Sequence, residues 1–144
     1  MNELEATISQ VIDENNISSE WNEGLLNELK HINLDLNSKR KDLTAAPFIT
    51  IDGEDAKDFD DAIHCISNES SFILSVAIAD VAELVKQGTA LDDEAINRGT
   101  SIYFPSKVIP MLPEEISNNL CSLVPNEIRN VVVCEIIFSI KGEI

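Results

Sequence analysis

Six acidic residues crowd into the ten positions from Asp52 to Asp61, with one lysine among them. They are Asp52, Glu54, Asp55, Asp58, Asp60 and Asp61. Carboxylates held so close together repel one another unless a cation lies between them. Hard oxygen ligands at short spacing suit Mg²⁺ or Mn²⁺, and two such ions can activate a water molecule and hold a scissile phosphate. The stretch therefore predicts a divalent metal site for phosphate chemistry.

The acidic stretch also fits structures that bind no catalytic metal. Acidic runs are most often solvated surface loops. A calcium-binding loop needs Gly at its sixth position, which falls on Ile63 when counted from Asp58 and on Lys57 when counted from Asp52. The haloacid-dehalogenase pattern is met only weakly, because Asp52-Gly53-Glu54-Asp55 lacks the second Asp and the following hydroxyl residue. The surface loop and the metal site therefore stay open at this point.

The elements on either side of the acidic stretch would position its carboxylates. The segment FITI, residues 48–51, is a short run of β-type residues that ends at Asp52-Gly53. Residues 62–66 and 72–79 predict two strands, and SNESS (67–71) predicts the turn of a hairpin. Asp52 would then end one strand while Asp60 and Asp61 begin another, so the loop between them can fold its carboxylates toward one point.

The remainder of the chain alternates helical and extended patterns. Apolar residues at helical spacing predict helices over residues 2–15 and 19–32. Further elements are a loop over 34–46, a helix over 81–87, a helix over 91–98 capped by Thr89 and ended by Gly99, irregular or edge-like structure over 100–113, a helix from Pro113 to Leu120 and a strand over 130–140. We expect an α+β fold with a curved, mainly antiparallel sheet, packed helices on one side, and terminal helices detached from the core.

The composition favours a folded protein without a membrane-spanning segment or a secretory signal. The 144 residues are 44% hydrophobic, which is enough for a folded core. No apolar run approaches the ~18 residues that span a bilayer, and the polar N-terminus lacks a secretory signal pattern. Cys65, Cys121 and Cys134 have no metal-type spacing, which favours buried reduced thiols in a cytoplasmic protein. The net charge of −16 argues against RNA binding by this chain alone, because polyanions are repelled.

Several blocks of the sequence resemble the catalytic domain shared by ribonuclease II and ribonuclease R, the RNB domain, and they are most similar to its ribonuclease R form. The blocks are TIDGEDAKDFDDA (50–62), VAIADVAELV (76–85), LDDEAINRGTSIYFP (91–105) and VIPMLPEEISNNLCSLVPNE (108–127). The likeness covers residues 40–144, the N-terminal portion of that catalytic domain. Residues 1–39 resemble only loosely the helical linker segment that precedes it.

The resemblance implies an Mg²⁺-dependent 3′-to-5′ exoribonuclease that degrades single-stranded RNA ends to nucleoside 5′-monophosphates, with Mn²⁺ as a substitute ion. The four acidic positions of the family fall on Asp52, Asp58, Asp60 and Asp61, which would hold the metal ions, with Asp60 tied most closely to cleavage. Tyr103 matches an aromatic residue that stacks on a base near the 3′ end; the competing possibility is a partly buried strand tyrosine.

Much of the family's pattern lies outside the matched region. The later half of the catalytic domain supplies an arginine and a glutamate near the scissile phosphate, and RNA-gripping domains flank it. We therefore expect an incomplete RNB-type domain, a truncated gene product or one piece of a split enzyme, with little or no exonuclease activity alone. The alternatives are a non-catalytic remnant that binds other molecules or self-associates through an exposed sheet edge such as strand 130–140, and a phosphohydrolase unrelated to RNA.

Some residues near the acidic stretch are predicted to have structural roles only. His64, inside a predicted strand, is expected to be packed or exposed rather than a catalytic base. Glu54 and Asp55 are expected to be solvated loop acids. The block Asn97-Arg98-Gly99 is assigned to packing and loop shape, with Arg98 as a phosphate contact the alternative.

Overall fold

The computed structural model describes residues 3–36, 39–54 and 56–144. Its helices are α1 (Glu3–Glu14), α2 (Glu23–Leu29), α3 (Val81–Leu84), α4 (Ala90–Arg98) and a π-helix (Glu115–Leu120). Its strands are β1 (Asp61–Ser67), β2 (Ser71–Ala79), β3 (Ile102–Phe104), β4 (Lys107–Ile109) and β5 (Val131–Ser139). The predicted α+β class with antiparallel strands is confirmed.

The chain forms two compact units, and the first comprises Met1–Ile32 and Val85–Pro113. Its centre is the packing of α2 on α4, where Leu25 and Leu91 are completely buried. The Glu28 carboxylate extends this contact by accepting a hydrogen bond of 3.1 Å from the Leu91 amide. The expectation that both terminal helices are detached from a core is therefore wrong for α2, because its apolar stripe has a partner 63 residues further along the chain.

Helix α4 begins and ends where its capping residues predict. The Thr89 hydroxyl accepts a hydrogen bond of 3.3 Å from the Asp92 amide and so caps the first turn. Gly99 follows the helix in the left-handed conformation, with φ of 70°, and its amide bonds the Ala95 carbonyl. A left-handed residue at this position is far easier for glycine than for other residues. Residues 102–109 then form the short hairpin of β3 and β4, where irregular or edge-like structure was predicted.

The second unit comprises Asn33–Leu84 and Glu114–Ile144 and contains an antiparallel sheet of order β1-β2-β5. The predicted hairpin is confirmed, with Ala62 opposite Ala77 in its register. Its turn holds without an Asn-Gly pair because the Asn68 side chain accepts hydrogen bonds of 2.9 Å from the amides of Ser70 and Ser71. The buried side chains of this unit include Ala62, Ala77, Ala79, Leu84, Ile116 and Cys121.

Three predicted elements of this unit differ from the structure. Residues 48–51 do not form a strand; only Ile49 bridges to Ile63, through hydrogen bonds of 2.9 and 2.8 Å. The helix predicted over 81–87 ends at Leu84. The helix predicted from Pro113 has π-helical form from Glu115 and closes with a bond of 2.8 Å from the Cys121 amide to the Ile116 carbonyl. Within the described ranges, no helix is both long and apolar enough to cross a bilayer.

Strand β5 lies at an edge of the sheet. It pairs with β2 along its whole length, and in the described part of the chain no strand pairs with its other side. The side chains of Val132 and Ile137 are 60% and 59% exposed. The predicted exposed edge is therefore present in the structure.

The three cysteines are unpaired, but only Cys121 is buried, so the prediction of buried thiols is wrong for Cys65 and Cys134. These two are exposed and lie on the outer strands β1 and β5 of the sheet. Burial, together with the negative charge of Asp60, raises the pKa of Cys121 to about 11. A thiol with that pKa stays protonated and unreactive at mildly alkaline pH.

Thiol titration with a disulfide reagent at mildly alkaline pH should therefore separate the three cysteines. We expect Cys65 and Cys134 to react quickly in the native chain and Cys121 only after denaturation. The variant C121A is the control, since it should keep both fast reactions and lose the slow one. Three equally fast thiols in the native chain would contradict the buried position of Cys121.

Candidate functional site

The acidic loop lies in the second unit between the Ile49 bridge and the start of β1. A hydrogen bond of 3.0 Å from the Ala56 amide to the Gly53 carbonyl makes a turn near its beginning. At its end the Ala79 amide donates a hydrogen bond of 2.9 Å to the Asp60 carbonyl, and Asp61 is the first residue of β1. The sheet therefore fixes the backbone at the end of the loop that carries Asp60 and Asp61.

All four aspartates assigned to the metal site are exposed: Asp52, Asp58, Asp60 and Asp61. Partial burial raises the pKa of Asp60, and the negative charges of Asp58, Asp61 and Asp52 raise it further. Among the described residues, the lysines and arginines form no ion pair with any of the four. The four aspartates thus place negative charge around Asp60 without a lysine or arginine of the described residues paired to it.

The positions of the side chains do not themselves make a finished metal site. Within residues 3–36, 39–54 and 56–144, no group of three or more acidic, histidine or cysteine side chains is arranged to hold an ion. The donor chemistry nevertheless fits a hard divalent cation, because carboxylate oxygens are its preferred ligands and a cation would relieve the repulsion on Asp60. The convergence of the four carboxylates on an ion therefore stays a prediction.

A buried serine contacts the acidic loop from the segment that follows the π-helix. The Ser122 hydroxyl donates a hydrogen bond of 2.8 Å to the Lys57 carbonyl and lies 3.0 Å from the Phe59 amide, whose hydrogen bond it accepts. Ser122 could not be assigned from the sequence, since a serine in LCSL has no chemical pattern that points to a loop 63 residues earlier. The contact becomes visible only in the folded chain, where residue 122 lies beside residues 57 and 59.

Tyr103 lies on β3, in the unit of the chain that does not contain the aspartates. Its side chain is 70% exposed, so the alternative of a partly buried strand tyrosine is wrong. An exposed ring is available to stack on a base, while its neighbour Phe104 is half-buried. The role of Tyr103 in substrate binding stays a prediction.

The residues predicted to have structural roles mostly follow that prediction. The His64 ring is half-buried and lies against Phe48, with ring centroids 5.6 Å apart, so it is packed. Glu54 is exposed, and Asp55 lies outside the described residues. The guanidinium of Arg98 is engaged by Glu94 and by the carbonyls of Pro110 and Glu20, as expected for a packing residue.

The chain is similar to proteins of known family and structure. The family model described as the RNB domain matches residues 40–144. Ribonuclease R of Vibrio cholerae is 57% identical over 106 residues, which are 73% of this chain and 13% of that protein. Two solved structures of Mycoplasma genitalium RNase R are 39% identical, match with a TM-score of 0.92 and cover 99% of this chain. One contains double-stranded RNA and the other ribose-methylated single-stranded RNA.

The matches cover only a part of each relative. The chain spans 26% of one Mycoplasma chain and 23% of the other. It therefore corresponds to a limited part of each relative, and this part includes the whole acidic loop.

Proposed function

We propose, since the chain belongs to the RNB-domain family, that it is part of an exoribonuclease that shortens RNA from its 3′ end. The observation that carries this proposal is the match of the RNB-domain family model to residues 40–144, the region that contains the acidic loop. The negative charges of Asp58, Asp61 and Asp52 raise the pKa of the partly buried Asp60. This repulsion supports the proposal, because a divalent cation would relieve it, whereas a plain surface loop gains nothing from it. The products would be nucleoside 5′-monophosphates.

Asp52, Asp58, Asp60 and Asp61 would hold Mg²⁺, or Mn²⁺ as its substitute, as a pair of ions. Bound there, such ions would activate a water molecule as the nucleophile and would stabilise negative charge on the leaving oxygen. The four aspartates would contribute the oxygen ligands, and the loop backbone would set the positions of their Cα atoms. Asp60 is partly buried, and the charges of the other three aspartates raise its pKa, which supports its assignment as the carboxylate closest to the reaction.

RNA would meet this site as a single-stranded 3′ end. The chain carries a net charge of −16, so phosphate would be repelled until cations neutralise the loop. The exposed ring of Tyr103 could stack on any base, which suits an enzyme that accepts every sequence. Binding of RNA should therefore require the divalent ion.

Ion-dependent RNA binding provides the test. We expect a short fluorescent single-stranded RNA to bind the chain more tightly with Mn²⁺ than with chelator, and D60N to remove the difference. The matched control is E54Q, which removes one charge from the same exposed loop without touching the four aspartates. Equal RNA binding with and without Mn²⁺, or loss of binding in both variants, would count against the proposal.

Catalysis by the 144-residue chain alone is expected to be weak or absent, because the chain spans a minor part of its relatives. The assay is the release of monophosphates from a 3′-tailed RNA in the presence of Mg²⁺. Steady release that D60N abolishes would contradict this expectation and strengthen the assignment of the acidic loop. Release that persists in D60N would indicate a contaminating nuclease.

A second candidate function is self-association without catalysis. The observation that favours it is the open side of β5, with the exposed side chains of Val132 and Ile137. An edge strand of this kind can pair with another chain, whereas the net charge of −16 opposes association of two copies.

Sedimentation velocity over a wide range of concentration tests self-association. A dimer that strengthens with added salt and is lost in V132K would support pairing through β5, because salt screens the repulsion between copies. The variant I96K makes the same kind of change, exposed apolar residue to lysine, on α4 of the other unit, and serves as the control for surface charge. A monomer at every concentration and salt level would exclude this function.

A further inference from the structure

Ser122 ties two distant backbone segments together at the acidic loop. The residue is completely buried, and its hydroxyl is used twice, as donor to the Lys57 carbonyl at 2.8 Å and as acceptor from the Phe59 amide at 3.0 Å. The next residue adds a third bond, of 2.9 Å, from the Leu123 amide to the Phe59 carbonyl. Three hydrogen bonds thus hold both ends of a three-residue span.

The span held in this way contains Asp58 and leads directly into Asp60. Fixing the carbonyl of residue 57 and the amide of residue 59 fixes the peptide planes on both sides of Asp58, which sets the direction of its Cα–Cβ bond. The Asp60 carbonyl is bound in turn by the Ala79 amide at 2.9 Å. The loop backbone is therefore held from both sides, although the carboxylates themselves are exposed.

Ser122 is held in place by an arginine on the same segment. The Arg129 Nε donates a hydrogen bond of 3.1 Å to the Ser122 carbonyl, and its Nη1 donates one of 2.9 Å to the Ile128 carbonyl. The Arg129 side chain is only 11% exposed, and its hydrogen bond to the Ser122 carbonyl is partly buried. The serine is thus anchored by its backbone while its hydroxyl contacts the loop.

We propose that Ser122 is a positioning residue of the acidic loop, whose hydroxyl orients Asp58 for binding of a divalent cation. The inference rests on the proposed function, since it assigns this aspartate to a metal. A residue that contacts only the backbone beside a ligand acts as the outer support of a metal site, and loss of such support commonly lowers metal affinity by about 10- to 100-fold. The hydroxyl itself would touch neither metal nor RNA.

The variant S122A removes the hydroxyl with almost no change in volume and leaves the Phe59 amide without its partner. We expect Mn²⁺ affinity, measured by calorimetry on the full chain, to fall by about 10-fold or more. The amide of Phe59 should exchange with solvent roughly tenfold faster, because one buried hydrogen bond is lost, while amides in the middle of β2 keep their protection. The matched control is S139A, whose hydroxyl accepts bonds from the Lys141 and Glu143 amides at the far end of β5; it should change neither quantity.

Amide exchange separates this inference from the proposed function. If the wild-type chain binds no Mn²⁺ while S122A still releases Phe59 selectively, the metal assignment fails and the positioning contact stands. If Mn²⁺ binds equally well to wild type and S122A, or if S122A loosens the whole sheet together with Phe59, the positioning role is overturned. If S122A does not fold, amide exchange of the wild-type chain provides the test. A Phe59 amide that exchanges as fast as the amide of the exposed Gly53 would show that the Ser122 contact does not exist in solution.

Discussion

The variant D60N should stabilise the metal-free chain at neutral pH and abolish the additional stabilisation given by Mn²⁺ or Mg²⁺. The pKa of Asp60 is raised in the folded chain by partial burial and by three neighbouring aspartates. Its carboxylate is therefore less favourable in the folded than in the unfolded state, and an uncharged amide of the same shape removes that cost. The same change removes one of the proposed ligands.

The sign of the effect depends on pH. Below the ordinary aspartate pKa of 3.8, Asp60 is protonated in both states and D60N should have little effect. As pH rises from 3.8 through the raised pKa, the wild-type chain loses stability relative to D60N, and the difference stays constant above it. Thermal unfolding of both chains with chelator at acidic and neutral pH checks this window, and equal midpoints at neutral pH would contradict it.

Added metal should reverse the order of the two chains. An ion that binds only the folded state stabilises by about 2.7 kcal/mol at a concentration of ~100 times its Kd. Wild type should gain this increment with Mn²⁺ and D60N should not, whereas E54Q should respond as wild type does. Because protons compete with the ion for Asp60, the increment should shrink as pH falls toward the raised pKa. A D60N chain that responds fully to Mn²⁺ would remove Asp60 from the metal site.

Local patterns predicted the elements that depend on local interactions. The ends of α4 follow from Thr89 and Gly99, whose capping roles need only the neighbouring four residues. The hairpin of β1 and β2 follows from two apolar runs separated by a polar turn. The location of the acidic loop before β1 follows from the same pattern, so the position of the candidate site in the fold was available from sequence.

Contacts between residues that are far apart in the sequence could not be predicted in this way. Residues 48–51 have the composition of a strand, but a strand needs a continuous partner, and only Ile49 finds one. Burial of Leu25 against α4 depends on a contact that no local pattern contains, so α2 was assigned to a detached segment. The Ser122 contact is of the same kind, since it joins residues 63 positions apart.

The sequence predicts the packing role of Arg98 but not the number of contacts that its guanidinium makes. The block Asn97-Arg98-Gly99 predicts a packing role for this residue, with phosphate binding as the alternative. The structure places its guanidinium 3.7 Å from the centre of the Trp21 ring and within 2.8 Å of the Glu94 carboxylate. Its Nη1 and Nη2 donate hydrogen bonds of 3.1 and 2.7 Å to the carbonyls of Pro110 and Glu20. The side chain therefore joins three separate segments of the first unit.

The variant R98A should accordingly destabilise the chain by about 3 kcal/mol, because hydrogen bonds to a charged group contribute roughly 1.5–3 kcal/mol each and do not add fully. The side chain is only 9% exposed, so water cannot easily replace those bonds. R98K should recover part of the loss, since an ammonium keeps the charge and the contact with Trp21 but cannot reach two carbonyls and a carboxylate in one plane. Denaturant unfolding of the three chains measures both values.

The control for R98A is R40A, an arginine of the second unit that pairs with Asp80 and Glu83 at 2.7 and 2.8 Å. Its side chain is more exposed, at 34%, so its ion pairs are screened by solvent and its removal should cost less. An R98A chain as stable as wild type, with Mn²⁺-dependent RNA binding lost, would instead assign Arg98 to phosphate. If R98A loses stability but binds Mn²⁺ with unchanged affinity, the packing role is supported, because the proposed ligands all belong to the other unit.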